Sequence, residues 1–261
     1  INIGVGPADR PVEGMGQGYL PPTRFMSADS EDVVLCNVPF QLIAAPGETP
    51  DHMVVWQKGS KLLFCADNYY KSFPNLYAIR GTRFRDFDSW AGSLDLMSGL
   101  NAEVLAPGHT RPLFGAAIIR ETLLAYRDAI RVVIHQTIEG MNKGLTPDEL
   151  VAFVKLPPEL ANKPCLHEFY GSVEFAVRAY FTGLVGWFDG NPTTLRPHSP
   201  LERARRLSLL AGGDVKLVAA LRDAQAGRDF QWVMELADAL ILLGCEVAEA
   251  KAAKQSALRA L

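Results

Sequence analysis

The sequence lacks the features that mark several large classes of protein. Its 261 residues include 26 Lys and Arg and 29 Asp and Glu, a net charge of -3, and no long run of one sign occurs. Binding to nucleic acid or to a membrane surface usually depends on such runs, so the sequence predicts neither partner. No apolar run approaches the ~20 residues of a membrane-spanning helix. A membrane span is therefore not expected.

Cysteine is scarce, and no two cysteines form a C-x-x-C pair. The four in the chain are widely spaced: Cys36, Cys65, Cys165 and Cys245. Because most of them lie inside apolar runs, we expect buried free thiols, and neither disulfides nor a cysteine-type zinc site. The compartment stays open, whether periplasmic, secreted or cytoplasmic. Ile1 is not an initiator methionine, so a preceding segment is expected.

The first half of the sequence has the pattern of a β-rich region. The first thirty residues are rich in Gly and Pro, which indicates an extended segment with turns. Short apolar runs then follow up to residue 105: "VVLCNV", "FQLIA", "MVVWQ", "KLLFCA" and "EVLAP". A helical pattern, "SWAGSLDLMSGL", separates the last two runs. This order of elements is typical of a layered α/β fold.

The sequence after Gly115 has the periodicity of helices. Apolar residues recur there at steps of three and four, which gives one amphipathic face. Thr146 and Ser199 each combine a hydroxyl cap with Pro at the first helical position and Glu at the third. From residue 214 onward we expect three successive helices, broken at Gly227 and Gly244. An all-helical region of this kind packs against neighbouring repeats or a second subunit.

Three polar residues lie beside predicted strands in the first half. Glu48 occurs in "PGETPDH", Asp67 ends "LLFCAD", and His109 ends "LAPGH". Carboxylate oxygens and imidazole nitrogens are the ligands of hydrolytic zinc or manganese centres, and strand ends commonly carry such groups. Taken singly, each residue is more often a turn residue, and Asp67 could instead cap the segment after it. Only their order along the chain favours a shared site.

That order resembles the second half of the metallo-β-lactamase superfamily, in which a P-G-H loop, an Asp after a strand and a final His supply metal ligands. Here Glu48 replaces the first histidine. This replacement and several later segments resemble the alkylsulfatase branch of the superfamily, which hydrolyses sulfate esters of fatty alcohols such as dodecyl sulfate. The segments are "NLYAIRG", "LPPEL", "YGSV" and, most specific of all, "GWFDGNPTTLRP". The resemblance covers nearly the whole chain.

The resemblance implies an α/β fold and a two-part organisation. Residues 1–143 would form the second half of an αββα sandwich, the metallo-β-lactamase-like catalytic domain. Residues 144–261 would form an all-helical dimerisation domain. The expected assembly is a homodimer through these helices.

The resemblance also implies roles for individual residues, beginning with the metal ligands. Two zinc ions are expected in a complete site. Glu48 would bind the first, Asp67 would bridge both, and His109 would bind the second. Family members usually have Glu at the bridging position, so Asp67 is a departure with a shorter reach.

Three further residues match positions that contact the substrate in the family. Arg80 and Asn75 would contact the sulfate group, and a guanidinium suits an oxyanion because it can donate two parallel hydrogen bonds. Tyr170 would lie near the leaving group and act in catalysis. Without the resemblance, Arg80 in "IRGTRFRD" would be interpreted as a solvated or ion-paired residue. The histidines without a family role are interpreted as structural: His52, His135, His167 and His198.

One family motif is absent from the sequence. The first-half motif H-x-H-x-D-H, which supplies the remaining zinc ligands, does not occur. The resemblance therefore implies a zinc-dependent sulfuric ester hydrolase that needs an N-terminal half-domain carrying this motif. Two alternatives remain open: a metallo-β-lactamase-fold hydrolase of another anionic ester or lactam, and a helical dimerisation scaffold with an inactive metal half.

Overall fold

A computed structural model describes residues 20–260, and the expectation for the Gly- and Pro-rich start lies largely outside them. Within these residues one sheet has six strands in sequential order. The strands are β1 (Ser30–Leu35), β2 (Val38–Ala44), β3 (Met53–Gln57), β4 (Leu62–Ala66), β5 (Val104–Pro107) and β6 (Leu113–Phe114). Neighbouring strands are antiparallel except β4 and β5, which run parallel. The predicted helix α1 (Phe87–Gly99) makes the crossover between that pair.

The run "VVLCNV" was expected to be one strand, and that expectation is wrong. The chain reverses within it, so that Leu35 of β1 pairs with Val38 of β2. Cys36 and Asn37 both have positive φ, 50° and 64°, as a two-residue hairpin of type I′ requires. The turn leaves Cys36 exposed, so the prediction of a buried thiol is wrong at this position.

The other three thiols differ in burial. Cys65 in β4 is buried, whereas Cys165 and Cys245 are half-buried. All four cysteines are free in this structure. Apolar burial raises the pKa of the Cys65 thiol to about 12, which keeps it protonated and unreactive at neutral pH.

One face of the sheet packs against the two longest helices of the first 143 residues, α1 and α2 (Ala116–Asn142). Alternate strand residues point to this core, as the two-residue period of a strand dictates. The register aligns Ile43 with Val54, Trp56 with Leu63, and Leu63 with Leu105. These side chains are between 0% and 8% exposed. The sheet is thus anchored on one side by apolar burial.

The opposite face of the sheet is apolar as well. The register places Leu42, Val55, Phe64 and Ala106 side by side across four strands. Phe64 at their centre is 42% exposed, and the others are half-buried. We call these four residues the open face. Apolar surface of this kind is typical of a sheet face that packs against another layer.

The described regular elements after α2 are all helices, as predicted. After α2 come α3 (Pro147–Phe153), α4 (Pro158–Ala161), a 3₁₀ turn (Pro164–Leu166) and α5 (Val173–Val185). They are followed by α6 (Pro192–Leu195), α7 (Pro200–Ala211), α8 (Asp214–Ala226), α9 (Phe230–Leu243) and α10 (Val247–Ala260). Both predicted caps are confirmed: Thr146 forms a full capping box with Glu149, and Ser199 accepts a hydrogen bond from the Glu202 N–H. No helix between residues 20 and 260 is long and apolar enough to span a membrane.

The described chain forms two compact units, one extending to Gly190 and one beginning at Asn191. The second unit has its own apolar core, built from facing residues of α8, α9 and α10 such as Leu221, Leu236 and Ala250. Helices α3 and α5 pack against α2 within the first unit. The units therefore divide later than residue 143, and the domain boundary predicted there stays a prediction.

Candidate functional site

Glu48 lies in the loop between β2 and β3, and helix α1 holds this loop in place. The Ser93 hydroxyl of α1 donates a hydrogen bond of 2.7 Å to the carbonyl oxygen of Pro46. Asn68 donates from its amide nitrogen to the carbonyl oxygen of Ala45, also over 2.7 Å. A Cβ on Gly47 would overlap the Asn68 side chain, so this position requires glycine. The loop thus has little freedom to move Glu48.

Asp67 and His109 are brought together because β4 and β5 are parallel neighbours. Asp67 directly follows β4, and His109 comes two residues after β5, so both lie at the carboxyl end of the pair. His109 Nε2 is 3.3 Å from Asp67 Oδ1. A Cβ on Gly108 would approach Asp67 Oδ1 to 2.8 Å, closer than such atoms come in proteins. Glycine at 108 therefore makes room for the carboxylate.

Four of the six residues predicted for the site line one pocket of about 230 Å³. They are Glu48, Asp67, His109 and Tyr170. Tyr170 arrives from the segment before α5, because a Cβ on Gly171 would overlap the Pro74 carbonyl oxygen and glycine alone allows this approach. The complete lining is Glu48, Asp67, Tyr70, Lys71, Ser72, His109, Thr110 and Tyr170.

The two residues predicted to contact sulfate lie at the margin of this pocket. Arg80 Nη1 donates a hydrogen bond of 3.2 Å to Tyr170 Oη, which connects the guanidinium to the pocket wall. Asn75 is 3% exposed and lies outside the lining. Its backbone N–H donates to Tyr70 Oη over 2.6 Å, and its carbonyl oxygen accepts from Arg85 Nη1. Asn75 is thus held behind the pocket wall.

Arg85 is a residue of the site that the sequence reasoning missed. It is 7% exposed, and its Nη2 donates to Glu48 Oε1 over 2.9 Å. The basic segment "RGTRFRD" suggested a solvated surface. A signal for burial was present, however, because Arg85 lies one residue before Asp86, which caps α1, and two before the buried Phe87. A residue in that position lies close to the buried first turn of α1.

The pocket combines the carboxylates of Glu48 and Asp67 with the nearby cations Lys71, Arg80 and Arg85. Burial raises the pKa of Glu48 above its ordinary value, and the nearby Asp67 carboxylate raises it further, while Arg85 and Arg80 oppose the rise. The hydrogen bond to Tyr170 raises the pKa of Arg80, which therefore stays charged. Two carboxylates in a partly desolvated pocket repel each other. A cation placed between them would relieve that repulsion.

The chemistry of the donors fits a metal ion, although these donors alone do not enclose one. Two carboxylates and an imidazole face one pocket, and a hard or borderline divalent cation takes such ligands. Within residues 20–260, however, no three His, Cys, Asp or Glu side chains approach closely enough to hold a metal by themselves. Glu48 Oε1 is also engaged by Arg85.

Comparisons with known proteins show the family of the chain. The sequence profile of the metallo-beta-lactamase superfamily matches residues 17–109, and that of the alkyl sulfatase dimerisation family matches residues 146–261. The chain is 41% identical to a linear primary-alkylsulfatase of Pseudomonas sp. over 238 residues, which is 90% of this chain. The chain belongs to the alkylsulfatase branch of the metallo-β-lactamase superfamily. The resemblance inferred from "PGETPDH" and "GWFDGNP" is thereby confirmed.

Further relatives of this alkylsulfatase-family chain support its fold. The stereoselective inverting sec-alkylsulfatase Pisa1 from Pseudomonas sp. has a structure that matches with a TM-score of 0.85 at 30% identity, over 91% of this chain. An alkyl/aryl-sulfatase, BDS1, of Saccharomyces cerevisiae is 29% identical over 85% of the chain. The predicted fold, part of a metallo-β-lactamase sandwich followed by a helical region, is therefore confirmed.

The chain spans only part of each of these relatives. It covers 44% of the length of the linear primary-alkylsulfatase, 35% of the yeast protein and 38% of Pisa1. The metallo-β-lactamase superfamily implies metal ions, while their number and identity are a separate question.

Proposed function

We propose that this chain forms the second half of the catalytic unit of a zinc-dependent hydrolase of sulfate esters, with alkyl sulfates such as dodecyl sulfate as substrates. The observation that carries the proposal is the convergence of Glu48, Asp67, His109 and Tyr170 on one pocket, with Arg80 bonded to Tyr170. These residues come from segments far apart in the sequence. Core packing does not require them to meet.

Three residues of the chain would hold metal ions in the complete enzyme. Glu48 would bind one zinc ion, His109 a second, and Asp67 would bridge the two. Held by these residues, zinc would supply Lewis-acid activation of water and of the ester oxygen. The protein fixes the ligands in advance, since the Ser93 bond to the loop of Glu48 and the parallel strands beside Asp67 and His109 leave little to rearrange.

Arg80 and Tyr170 would act on the sulfate group and on the leaving oxygen. The Arg80 guanidinium, permanently charged, would balance the negative charge of the sulfate. Because Arg80 donates to Tyr170 Oη, the phenol oxygen is the acceptor in that bond and its own hydrogen is available to the leaving oxygen. Asn75, buried behind the pocket wall, would support this region from there, and its direct contact with the sulfate stays a prediction. Tyr170 is thus the residue of this chain proposed to be catalytic.

The open face supports an N-terminal half-domain as the missing part of the site. Leu42, Val55, Phe64 and Ala106 form a continuous apolar surface on the side of the sheet away from α1 and α2. A sandwich partner carrying H-x-H-x-D-H would cover this face and bring its ligands to the carboxyl ends of β4 and β5. One contact would thus remove apolar surface from water and complete the metal site.

The test is reconstitution. The chain, co-expressed with or fused to an N-terminal half that carries H-x-H-x-D-H, is expected to bind two zinc ions per protomer and to release sulfate from dodecyl sulfate. Glu48→Gln should lose zinc and turnover, whereas the matched control Glu159→Gln, on the exposed surface of α4, should keep both. Zinc content is measured by atomic emission and sulfate by ion chromatography. Full activity of Glu48→Gln would refute the assignment of Glu48.

A second candidate is the hydrolysis of a different anionic ester by the same pocket, and Lys71 favours it. The sulfatases that the chain resembles have histidines just before "NLY", whereas this chain has Lys71 in the pocket lining. A flexible ammonium beside the pocket suits a substrate with an additional negative charge. Comparing turnover of dodecyl sulfate with a panel of phosphoesters, lactones and lactams distinguishes the two candidates.

A further inference from the structure

Buried side chains hold both peptide groups of Asn75, the one on its amino side and the one on its carboxyl side. The Asn75 N–H donates to Tyr70 Oη over 2.6 Å, and the Asn75 carbonyl oxygen accepts from Arg85 Nη1. Asn75, Tyr70 and Arg85 are 3%, 5% and 7% exposed. Buried bonds of this kind resist rotation because water is not at hand to replace either partner. The backbone at Asn75 is therefore fixed from two directions.

Tyr70 and Arg85 also each contact a residue proposed for the site. Arg85 Nη2 donates to Glu48 Oε1 over 2.9 Å. The Tyr70 ring meets the Tyr170 ring edge to face, with centroids 5.7 Å apart and an angle of 64° between the planes. Such aromatic pairs have a preferred geometry and so fix ring orientation. Asn75 is thus connected to Glu48 through one residue and to Tyr170 through another.

The backbone beside Tyr170 completes this arrangement. A Cβ on Gly171 would lie 2.7 Å from Asn75 Cα, so the chain at 171 rests directly on the chain at 75. Movement of Asn75 would therefore displace Tyr170 through the backbone as well as through the Tyr70 ring. The four residues Asn75, Tyr70, Arg85 and Gly171 form what we call the Asn75 clamp.

A contribution to fold stability does not by itself explain why an arginine, Arg85, is buried at this position. Removing a guanidinium from water is costly, and a buried ion pair rarely stabilises more than an apolar replacement would. The Arg85 Nε, moreover, is buried without a hydrogen-bond partner. Retaining such a residue makes physical sense when its two bonds orient other groups, as supporting residues do around binding and catalytic sites.

We propose that Tyr70 and Arg85 are positioning residues of the sulfate-binding region: through the Asn75 clamp they set the relative placement of Asn75, Tyr170 and Glu48. The inference rests on the proposed function and extends it, because it assigns roles to two residues that the family resemblance did not. Tyr70 acts through its hydroxyl on Asn75 and through its ring on Tyr170. Arg85 acts on Asn75 and Glu48 together.

The test separates the two contacts of Tyr70 in the native polypeptide that contains this sequence. Tyr70→Phe removes the acceptor for the Asn75 N–H and keeps the ring, so KM for dodecyl sulfate should rise about tenfold while kcat changes less than about threefold. Tyr70→Leu also removes the ring, so kcat should fall a further tenfold or so. Arg85→Lys keeps the positive charge but loses the planar guanidinium that donates to Asn75 and Glu48 together, so KM should rise about tenfold. Tyr77→Phe, at a half-buried tyrosine nearby, is the control and should match the parent.

A binding measurement that needs no turnover accompanies the kinetics. In the parent, sulfate at low millimolar concentration, compared with chloride at equal ionic strength, should raise the melting temperature. Tyr70→Phe should lose at least half of that increase, and Tyr77→Phe should keep it. The probe is inorganic sulfate, kept dilute so that its general stabilising effect is small.

The outcomes are distinguishable. A parent that binds sulfate and lacks turnover would refute the proposed function, while loss of binding in Tyr70→Phe would still support the clamp. A Tyr70→Phe protein with unchanged KM and unchanged sulfate protection would overturn the clamp, whether or not its melting temperature falls. A parent without either sulfate binding or turnover would overturn both. A lower melting temperature alone indicates only a structural role.

Discussion

Arg85 Nη2 lies 2.9 Å from Glu48 Oε1, and both side chains are almost removed from solvent, with 6% and 13% exposed. The pair joins the loop after β2 to the residue that precedes the cap of α1. Glu48 is the carboxylate proposed to bind the first zinc ion. Before any metal arrives, Arg85 is therefore the cation that balances it, with Asp67 and its negative charge close by.

Breaking this pair should destabilise the metal-free chain strongly. Arg85→Met leaves the Glu48 carboxylate buried without its partner, and we expect a loss of about 3–5 kcal/mol in the free energy of unfolding. The double variant Arg85→Met with Glu48→Gln should lose much less, because no buried charge is left uncompensated. Urea unfolding in the presence of a chelator measures both. Arg83→Met, at an exposed arginine two residues earlier, is the control, and equal losses in the single and double variants would contradict the pairing.

The stability of the metal-free chain should depend on pH through Glu48. Because burial raises its pKa, the folded state holds this proton more tightly than the unfolded state does. The contribution is thus favourable below the ordinary value of 4.5 and is lost as the pH rises through the folded-state pKa. Relative to Glu48→Gln, the parent should become less stable between pH 4 and pH 7. Urea unfolding at the two pH values tests this, and a pH-independent difference would argue against a raised pKa.

Gly108 should strengthen metal binding, although it supplies no ligand. Gly108→Ala would place a Cβ 2.8 Å from Asp67 Oδ1 and displace the carboxylate from His109. We expect the zinc affinity of the reconstituted enzyme to fall by about tenfold to a hundredfold, the usual effect of disturbing a ligand's support. Gly99→Ala is the matched control, because nothing lies within 4 Å of its Cβ. Competition with a fluorescent chelator reports the affinities, and a normal value for Gly108→Ala would contradict the support that Gly108 gives to Asp67.

The open face should control assembly with the N-terminal half. Phe64→Lys places a charge in the centre of the apolar surface, so the separate chain should aggregate less and associate with the other half at least tenfold more weakly. Leu96→Lys, at a leucine of α1 with 40% exposure against 42% for Phe64, should leave association unchanged. Analytical ultracentrifugation gives both readouts. Unchanged association of Phe64→Lys would show that the partner does not cover this face.

The C-terminal helices should mediate homodimerisation. Leu209 and Leu210 at the end of α7 are 79% and 86% exposed, which is unusual for neighbouring leucines. Leu210→Glu should shift the protein from dimer to monomer in light scattering coupled to size-exclusion chromatography. Leu20→Glu changes an equally exposed leucine, at 86%, in the first unit and should leave the dimer intact. A parent that is monomeric at micromolar concentration would contradict the prediction of homodimerisation.

Local sequence signals were sufficient for many elements. The caps at Thr146 and Ser199 and the helix ends near Gly227 and Gly244 occur where the pattern predicts them, since capping involves residues only a few positions apart. The hairpin at Cys36 was missed because its two turn residues include no glycine, although Asn37 readily adopts a positive φ. Apolar residues on both sides of Asn37 made the segment resemble a single strand.

By itself, the sequence determined the family and the kinds of side chain available for chemistry, because short motifs such as "PGETPDH" and "GWFDGNP" preserve both residue type and order. The tertiary structure decided which of those side chains meet. The parallel pairing of β4 and β5 places His109 beside Asp67, and the entry of α1 buries Arg85 against Glu48. Asn75, predicted to contact sulfate, lies behind the pocket wall between Tyr70 and Arg85. Such contacts join residues distant in the chain, and only the packing of the sheet, α1 and the segment before α5 specifies them.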